Sequence, residues 1–352
     1  MSQVGRARAR TSEVGIAPTR ERDIAPTRER DIAPTTERSI APTAEVELAP
    51  TSGVGIAPTQ ERSIAPTRGV AQTAAVKFDS ARAWEHLRRQ VAFGPRPAGT
   101  AALKQCRDYI LAELKAAGID AKPQAFVGRT PMGEIMMANV VATIPGRRSE
   151  RIILASHFDT KRAPFRFVGA SDGASSTAVL LELGRVLKAR PGEFTIELLF
   201  LDGEEAVNWE WQDPDNRYGS RHYVQAAQQS GSLNGIKALI LLDMVGDRNL
   251  TLKRDATSTP WLVDLVWNAA ARLGYRSAFP NDLTAIEDDH VPFLRAGIPA
   301  VDIIDGPDDY PQWHTAQDDL DHVSAKSLQT VGEVVLASLP DIEARAAASL
   351  RR

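Results

Sequence analysis

From residue 78 onward the apolar positions follow two rhythms. Over residues 80–91, 101–117 and 174–189 they return every three to four positions, the period of one helix face, and a last such stretch runs over about 324–347. Between them lie short, nearly continuous apolar runs at 138–144, 151–156, 195–201, 236–242 and 299–304, which read as strands. Strands that alternate with helices indicate a layered α/β fold. The expectation is three layers, α/β/α, around a central mixed sheet that is largely parallel. In such sheets ligands bind beyond the carboxyl ends of the strands. The pattern gives the fold class and leaves the strand order open.

The first 76 residues follow neither rhythm. They contain no Phe, Tyr, Trp, His or Lys, and they carry an eight-residue repeat: Ile-Ala-Pro-Thr begins at Ile16, Ile24, Ile32, Ile40, Ile56 and Ile64, with Leu-Ala-Pro-Thr at Leu48. Stacking repeats have longer units, of about 20 residues or more. A proline in every unit blocks a continuous helix and is rejected by central strands. Without aromatic residues there is too little apolar surface to offset the entropy of ordering. Residues 1–76 are therefore expected to be disordered or extended, and residues 77–352 to form one catalytic domain. A tandem DNA repeat read through from a start codon called too early accounts for this segment better than a spacer or wall-binding arm. A start near Val70 would alter the amino terminus, so localisation stays open.

Composition narrows the class only a little. Of 352 residues 43% are hydrophobic and 25% charged, with a formal net charge of -3, so no nucleic-acid partner is indicated. No apolar run approaches the roughly 20 residues of a membrane span. The opening MSQVGRARAR is basic but is followed by no apolar core, so no secretory signal is visible. A single cysteine, Cys106, excludes an intramolecular disulfide and reads as a buried structural thiol within a helix.

Acidic and histidine residues gather where the apolar runs end. Ser-His157-Phe-Asp159 follows one run, and Ser-Asp172-Gly opens the next helix. Asp202-Gly-Glu204-Glu205 follows a second run, Asp243-Met-Val-Gly a third, and Trp313-His314-Thr comes near the end. A lone carboxylate at a strand end is ordinarily solvated. Several together are harder to explain so, because buried carboxylates cost several kcal/mol unless paired or bound to metal. Mixed His and carboxylate donors suit zinc, with three protein ligands and one open position. In the adjacent pair Glu204-Glu205 one carboxylate can bind metal while the other moves protons. His157 and Asp159 suit a ligand histidine with a supporting carboxylate.

The series His157-x-Asp159, Asp172, Glu204-Glu205, Asp243 and His314 resembles the metal-site series of the zinc aminopeptidase superfamily, of peptidase family M28 type. Phe167-Val-Gly-Ala-Ser-Asp172, Asp202-Gly-Glu-Glu-Ala206, Tyr218-Gly-Ser-Arg-His222, Asp288-Asp-His-Val-Pro-Phe293 and Trp313-His-Thr315 resemble its glutaminyl-peptide cyclotransferase branch, as do residues 95–100 and Thr130-Pro-Met-Gly133. The resemblance runs from about Phe78 to the carboxyl terminus. It implies one zinc held by Asp172, Glu205 and His314, with Glu204 as proton shuttle. It also implies Asp243 and Asp289 as a carboxylate network near the substrate amine, with Asp288 beside them, and Trp313 and Trp209 as pocket walls. Trp211 competes with Trp209, since residues 206–218 are not matched position by position. The implied substrate is the amino terminus of a peptide or protein, cyclised at glutamine. A di-zinc aminopeptidase is the competing implication, with the second ion on His157 and Asp243 and Asp172 bridging. A non-catalytic peptide-binding module is a third, against which the complete ligand set argues.

Other polar residues have plainer readings. His222 and His290 read as core or supporting hydrogen-bond groups, and His86 and His322 as surface. Asp247 and Asp302 read as solvated acids. Asp318, Asp319 and Asp321 read as a charged loop before the last helix.

Overall fold

All five apolar runs become strands of one sheet in the computed structural model, which describes residues 76–350. The eight-residue repeat lies outside the described residues. The elements are helices α1 (Ser80–Ala92) and α2 (Ala101–Ala116), strands β1 (Asp120–Thr130), β2 (Gly133–Ile144) and β3 (Arg148–His157), helix α3 (Ala174–Lys188), strand β4 (Phe194–Leu201) and helix α4 (Tyr218–Gln229). Strands β5 (Ile236–Asp243) and β6 (Arg254–Asp255), helix α5 (Pro260–Arg272), strand β7 (Leu283–Thr284), helix α6 (His290–Arg295), strand β8 (Ala300–Ile304) and helix α7 (Ala325–Ser349) complete them.

The main sheet has the order β1-β2-β4-β3-β5-β8. Strands β4, β3, β5 and β8 run parallel, while β1 and β2 form an antiparallel hairpin joined to them through β4. The parallel strands read as continuous apolar runs because both faces are covered. Ile152, Leu154, Leu198 and Ile240 pack under the large helical layer, and their neighbours Ile153, Ala155, Leu199 and Leu241 pack against the smaller one built on α4 and α6. Each such leucine or isoleucine, once fully buried, contributes about 1.5–3 kcal/mol. Three α/β/α layers around a mostly parallel sheet are thus as expected.

Local chemistry sets the helix starts. Asp79 caps α1 by accepting from the Ala81 and Arg82 amides, Thr100 caps α2 through Leu103, and Ser324 caps α7 through Ser327. Helix α3 has no such cap. It begins at Gly173, beside Asp172, where a side-chain cap would occupy the centre described below.

Several elements were not anticipated, the two-residue strands β6 and β7 among them. Strand β1 carries Pro123 and Gly128, which weaken a strand pattern, and it is tolerated as an edge strand. The hairpin's outer half is exposed, so β2 begins at Gly133 rather than at residue 138. Helix α4 is largely polar, and α6 is six residues long; α5 was missed although Leu262, Val263, Val266, Trp267 and Ala270 recur at helix spacing behind Pro260.

Candidate metal centre and active site

The sheet register brings the chemistry to one edge. His157 ends β3 level with Leu201 of β4, and Asp243 ends β5 level with Ile304 of β8. Loops leaving those ends carry Asp159, Glu204, Glu205 and His314. Gly173, with φ +86, follows Asp172, and a Cβ there would lie 2.7 Å from the Asp159 carbonyl oxygen and 3.0 Å from His157 Cε1. Glycine at that turn lets the Asp172 segment close on β3.

Two candidate metal-binding groups result, Asp172-Glu205-His314 and His157-Asp172-Asp243. Asp172 belongs to both. Its Oδ2 lies 3.4 Å from His314 Nε2 and its Oδ1 3.2 Å from His157 Nε2. His314 Nε2 is also 3.2 Å from Glu205 Oε1, and His157 Nε2 is 3.0 Å from Asp243 Oδ1. Asp172 Oδ2 and Glu205 Oε2 are buried without a hydrogen-bond partner. Two carboxylates and one imidazole with orphaned oxygens fit a divalent cation, and zinc takes such donors in catalytic sites.

The electrostatics agree. Burial raises Glu205, and Asp172 beside it pushes the same way. Burial alone would lower His314, but Glu205 and Asp172 outweigh it and hold its pKa at about 10. His157 likewise stays well above the ordinary histidine range, with burial opposed by Asp243, Asp159 and Asp172. Protons thus do the balancing that a cation would otherwise do.

Glu204 and Glu205, though adjacent, serve different surroundings. Asp159 accepts from both backbone amides, Glu204 N at 3.1 Å and Glu205 N at 3.3 Å, which fixes the turn. Its Oδ1 is also 3.6 Å from His157 Nδ1. Glu205 reaches the Asp172-His314 group, and buried Lys161 stands 3.8 Å from its Oε2 while donating to the Ala206 carbonyl. Burial lifts Glu204 well above the usual carboxylate range, and Asp288, Glu205 and Asp289 add to this against the pull of His157. A carboxyl raised in this way beside a cavity is suited to take up and return a proton.

A cavity of about 410 Å³ opens onto this edge, lined by Glu204, Asp288, Trp211 and Trp313 among others. Trp313 stacks on His314 with ring centroids 4.1 Å apart. Trp209 stands 5.9 Å from the same imidazole and is 48% exposed, whereas Trp211 is among the lining residues. Asp288 lines the cavity, and burial raises its carboxyl. Asp289 is buried, accepts from Ser220 Oγ, and is pushed up to about 8 by burial and Asp288. Burial raises Asp243 to about 7 against the pull of His157.

Two plain readings are corrected. Asp302 and Asp247 are not solvated: Asp302 is fully buried inside β8, 3.6 Å from His290, and Asp247 is buried as well. Asp318 is no surface charge. It is fully buried, its two oxygens accept from Ser171 N at 2.7 Å and Asp172 N at 3.1 Å, and Tyr310 donates to it. Its spacing of four residues from His314 was the one available signal. Lys161, Ser220, Tyr310 and Asp255 were also missed, since each acts through a contact distant in sequence. His290 is a supporting group as expected, bonded to Thr257 and near Asp255.

Comparison with known proteins gives the family. The model of Peptidase family M28 matches residues 139–339. A glutaminyl-peptide cyclotransferase-like protein of Bos taurus is 30% identical over 296 residues, covering 75% of this chain and 76% of its own. The crystal structure of a glutaminyl cyclase from an Acidobacteriales bacterium has a TM-score of 0.73 at 38% identity, covering 80% of this chain and 100% of its own. A leucine aminopeptidase precursor from Bacteroides thetaiotaomicron has a TM-score of 0.69 at 29% identity, covering 75% and 97%. The chain therefore belongs to peptidase family M28 and, within it, to the glutaminyl cyclase branch.

Proposed function

We propose that this protein is a glutaminyl-peptide cyclotransferase, which converts the amino-terminal glutamine of a peptide to pyroglutamate with release of ammonia. The observation that carries the reading is the division of Glu204 from Glu205. One lies in the candidate metal-binding group, and the other faces the cavity with a carboxyl that burial raises well above the usual range.

Asp172, Glu205 and His314 would hold one zinc ion. Zinc there supplies Lewis-acid polarisation of the glutamine side-chain carbonyl. Glu204 takes a proton from the α-amine as that nitrogen bonds to the side-chain carbonyl carbon. The same carboxyl returns the proton as the carbon–nitrogen bond to the amide breaks and ammonia leaves. Asp288 and Asp243 face the cavity and orient the amine, with Asp289 behind them in the carboxylate network. Trp313, with Trp209 or Trp211, walls the pocket and keeps water from the reacting carbon. Ring closure is intramolecular, so holding the amine against the carbonyl supplies much of the effect.

The group His157-Asp172-Asp243 supports a second reading, a two-metal aminopeptidase in which Glu204 would activate water. Mass analysis of two peptides incubated with the zinc-loaded protein, one beginning with Gln and one with Leu, separates the two. Loss of ammonia from the Gln peptide alone supports cyclisation. Release of the first residue, from the Leu peptide especially, refutes it.

A further inference from the structure

Asp172 and His314 come from segments that no strand pairing joins. Asp172 sits on the turn into α3. His314 sits on the connection between β8 and α7, in a left-handed backbone conformation with φ 51. Outside the named strands, that connection is bridged only at its ends among the described residues, Leu252 to Asp305 and Asp247 to Val323. The main sheet therefore does not explain why the two side chains meet at 3.4 Å.

One carboxylate does. Asp318 turns both oxygens onto the Asp172 segment, accepting from Ser171 N at 2.7 Å and from Asp172 N at 3.1 Å. Its own carbonyl accepts from Ala170 N at 3.3 Å. Tyr310 donates to the same carboxylate at 2.8 Å. Tyr310 and Asp318 lie four residues before and four after His314, so the connection closes around the imidazole and is pinned to the Asp172 backbone at one point. Asp318 belongs to neither metal-binding group.

We infer that Asp318 is a positioning residue of the metal centre, registering the His314 loop to the Asp172 turn through the backbone amide of the ligand itself. The inference rests on the metal reading above. Asp159 performs the matching task on the other side, gripping the amides of Glu204 and Glu205. Carboxylate is required at position 318 because only it offers acceptors on both sides. An amide would turn an NH2 against a backbone N–H.

The test uses the full chain, stripped of metal and titrated with Zn2+ against a chromophoric chelator, with Co2+ absorption as a report on ligand geometry. Asp318→Asn is expected to weaken zinc binding by about 10- to 100-fold and to alter the Co2+ spectrum. Asp202→Asn is the control, because Asp202 is equally buried and grips a backbone amide, that of Ala138, outside both metal-binding groups. It should lower the thermal midpoint yet leave zinc affinity and the Co2+ spectrum as in wild type. If Asp318→Asn does not fold, Tyr310→Phe decides, with zinc binding weakened by roughly threefold for the loss of one hydrogen bond. Wild-type affinity and spectrum in Asp318→Asn, or in Tyr310→Phe where that variant decides, overturn the inference alone. Failure of the wild-type protein to bind zinc overturns the metal reading and the inference with it.

Discussion

Replacing Gly173 by alanine adds one carbon at a tight point behind the metal centre. Two costs can be separated. The backbone there has φ +86 and ψ -42, outside the left-handed helical region, and holding an L-residue in so sparse a region costs about 1–3 kcal/mol. The added Cβ would also lie 2.7 Å from the Asp159 carbonyl oxygen and 3.0 Å from His157 Cε1, so backbone or imidazole must move. Overpacking of that kind costs about 1–3 kcal/mol more. The sum is about 2–6 kcal/mol, which for a domain of this size lowers the thermal midpoint by roughly 5–20 °C. Gly231→Ala is the comparison for a positive φ without crowding. Gly231 has φ +70 and nothing within 4 Å of its would-be Cβ. It should lose only about 1–2 kcal/mol and keep full zinc affinity. Thermal melts of both metal-stripped variants, followed by zinc titration against a chelator, compare them. If Gly173→Ala melts no lower than Gly231→Ala and binds zinc as wild type does, the close approach of Asp172 to β3 does not shape the centre and the reasoning fails.

Other outcomes are equally direct. Glu204→Gln should retain zinc but lose turnover of a Gln peptide by about a hundredfold or more, the scale of general acid–base catalysis, and wild-type turnover would refute the shuttle role. His314→Ala should weaken zinc binding by more than the roughly 10- to 100-fold of an outer-shell change, and undiminished zinc content would place the ligand elsewhere. In the metal-free protein His314 holds its proton up to a pKa of about 10, so zinc must displace that proton at neutral pH. Zinc affinity should therefore rise with pH by about tenfold per unit per proton released, and a flat chelator-competition profile between about pH 6 and about pH 8 would contradict this. Trp313→Ala should raise KM for the Gln peptide, since the ring both lines the cavity and stacks on His314. An unchanged KM would mean that the indole serves only the imidazole.

The parallel core was legible because its strands are covered on both faces and so read as unbroken apolar runs, as in Ile152-Ile153-Leu154. The same runs pointed to their own ends, where His157, Glu204, Glu205 and Asp243 stand. Strand β1 escaped because an edge strand accepts Pro123 and exposed residues. Asp302 and Asp318 escaped because a carboxylate looks the same in sequence whether solvent or a buried backbone amide surrounds it. Burial is a property of the fold around the residue, and Ser171 lies 147 positions from Asp318. Tryptophans 209 and 211 could not be ranked by composition, since only loop geometry decides which one lines the cavity.

Strand β4 joins two sub-sheets that otherwise share no ladder, for it lies between β2 and β3 although it follows both in the chain. During synthesis, a chain stopped short of Phe194 therefore leaves β2 and β3 each without the partner that only β4 supplies. Unpaired edges are templates for wrong partners. All eight residues of β4 are buried, and its arrival fills the gap between β2 and β3 in one step and sets the register that carries Glu204 and Glu205 to the centre. The β5 side of β3 stays open until Ile236–Asp243 follows. The hairpin's place in the sheet thus waits on one segment in mid-chain, and ribosome-stalled chains ending just before and just after it should differ in aggregation.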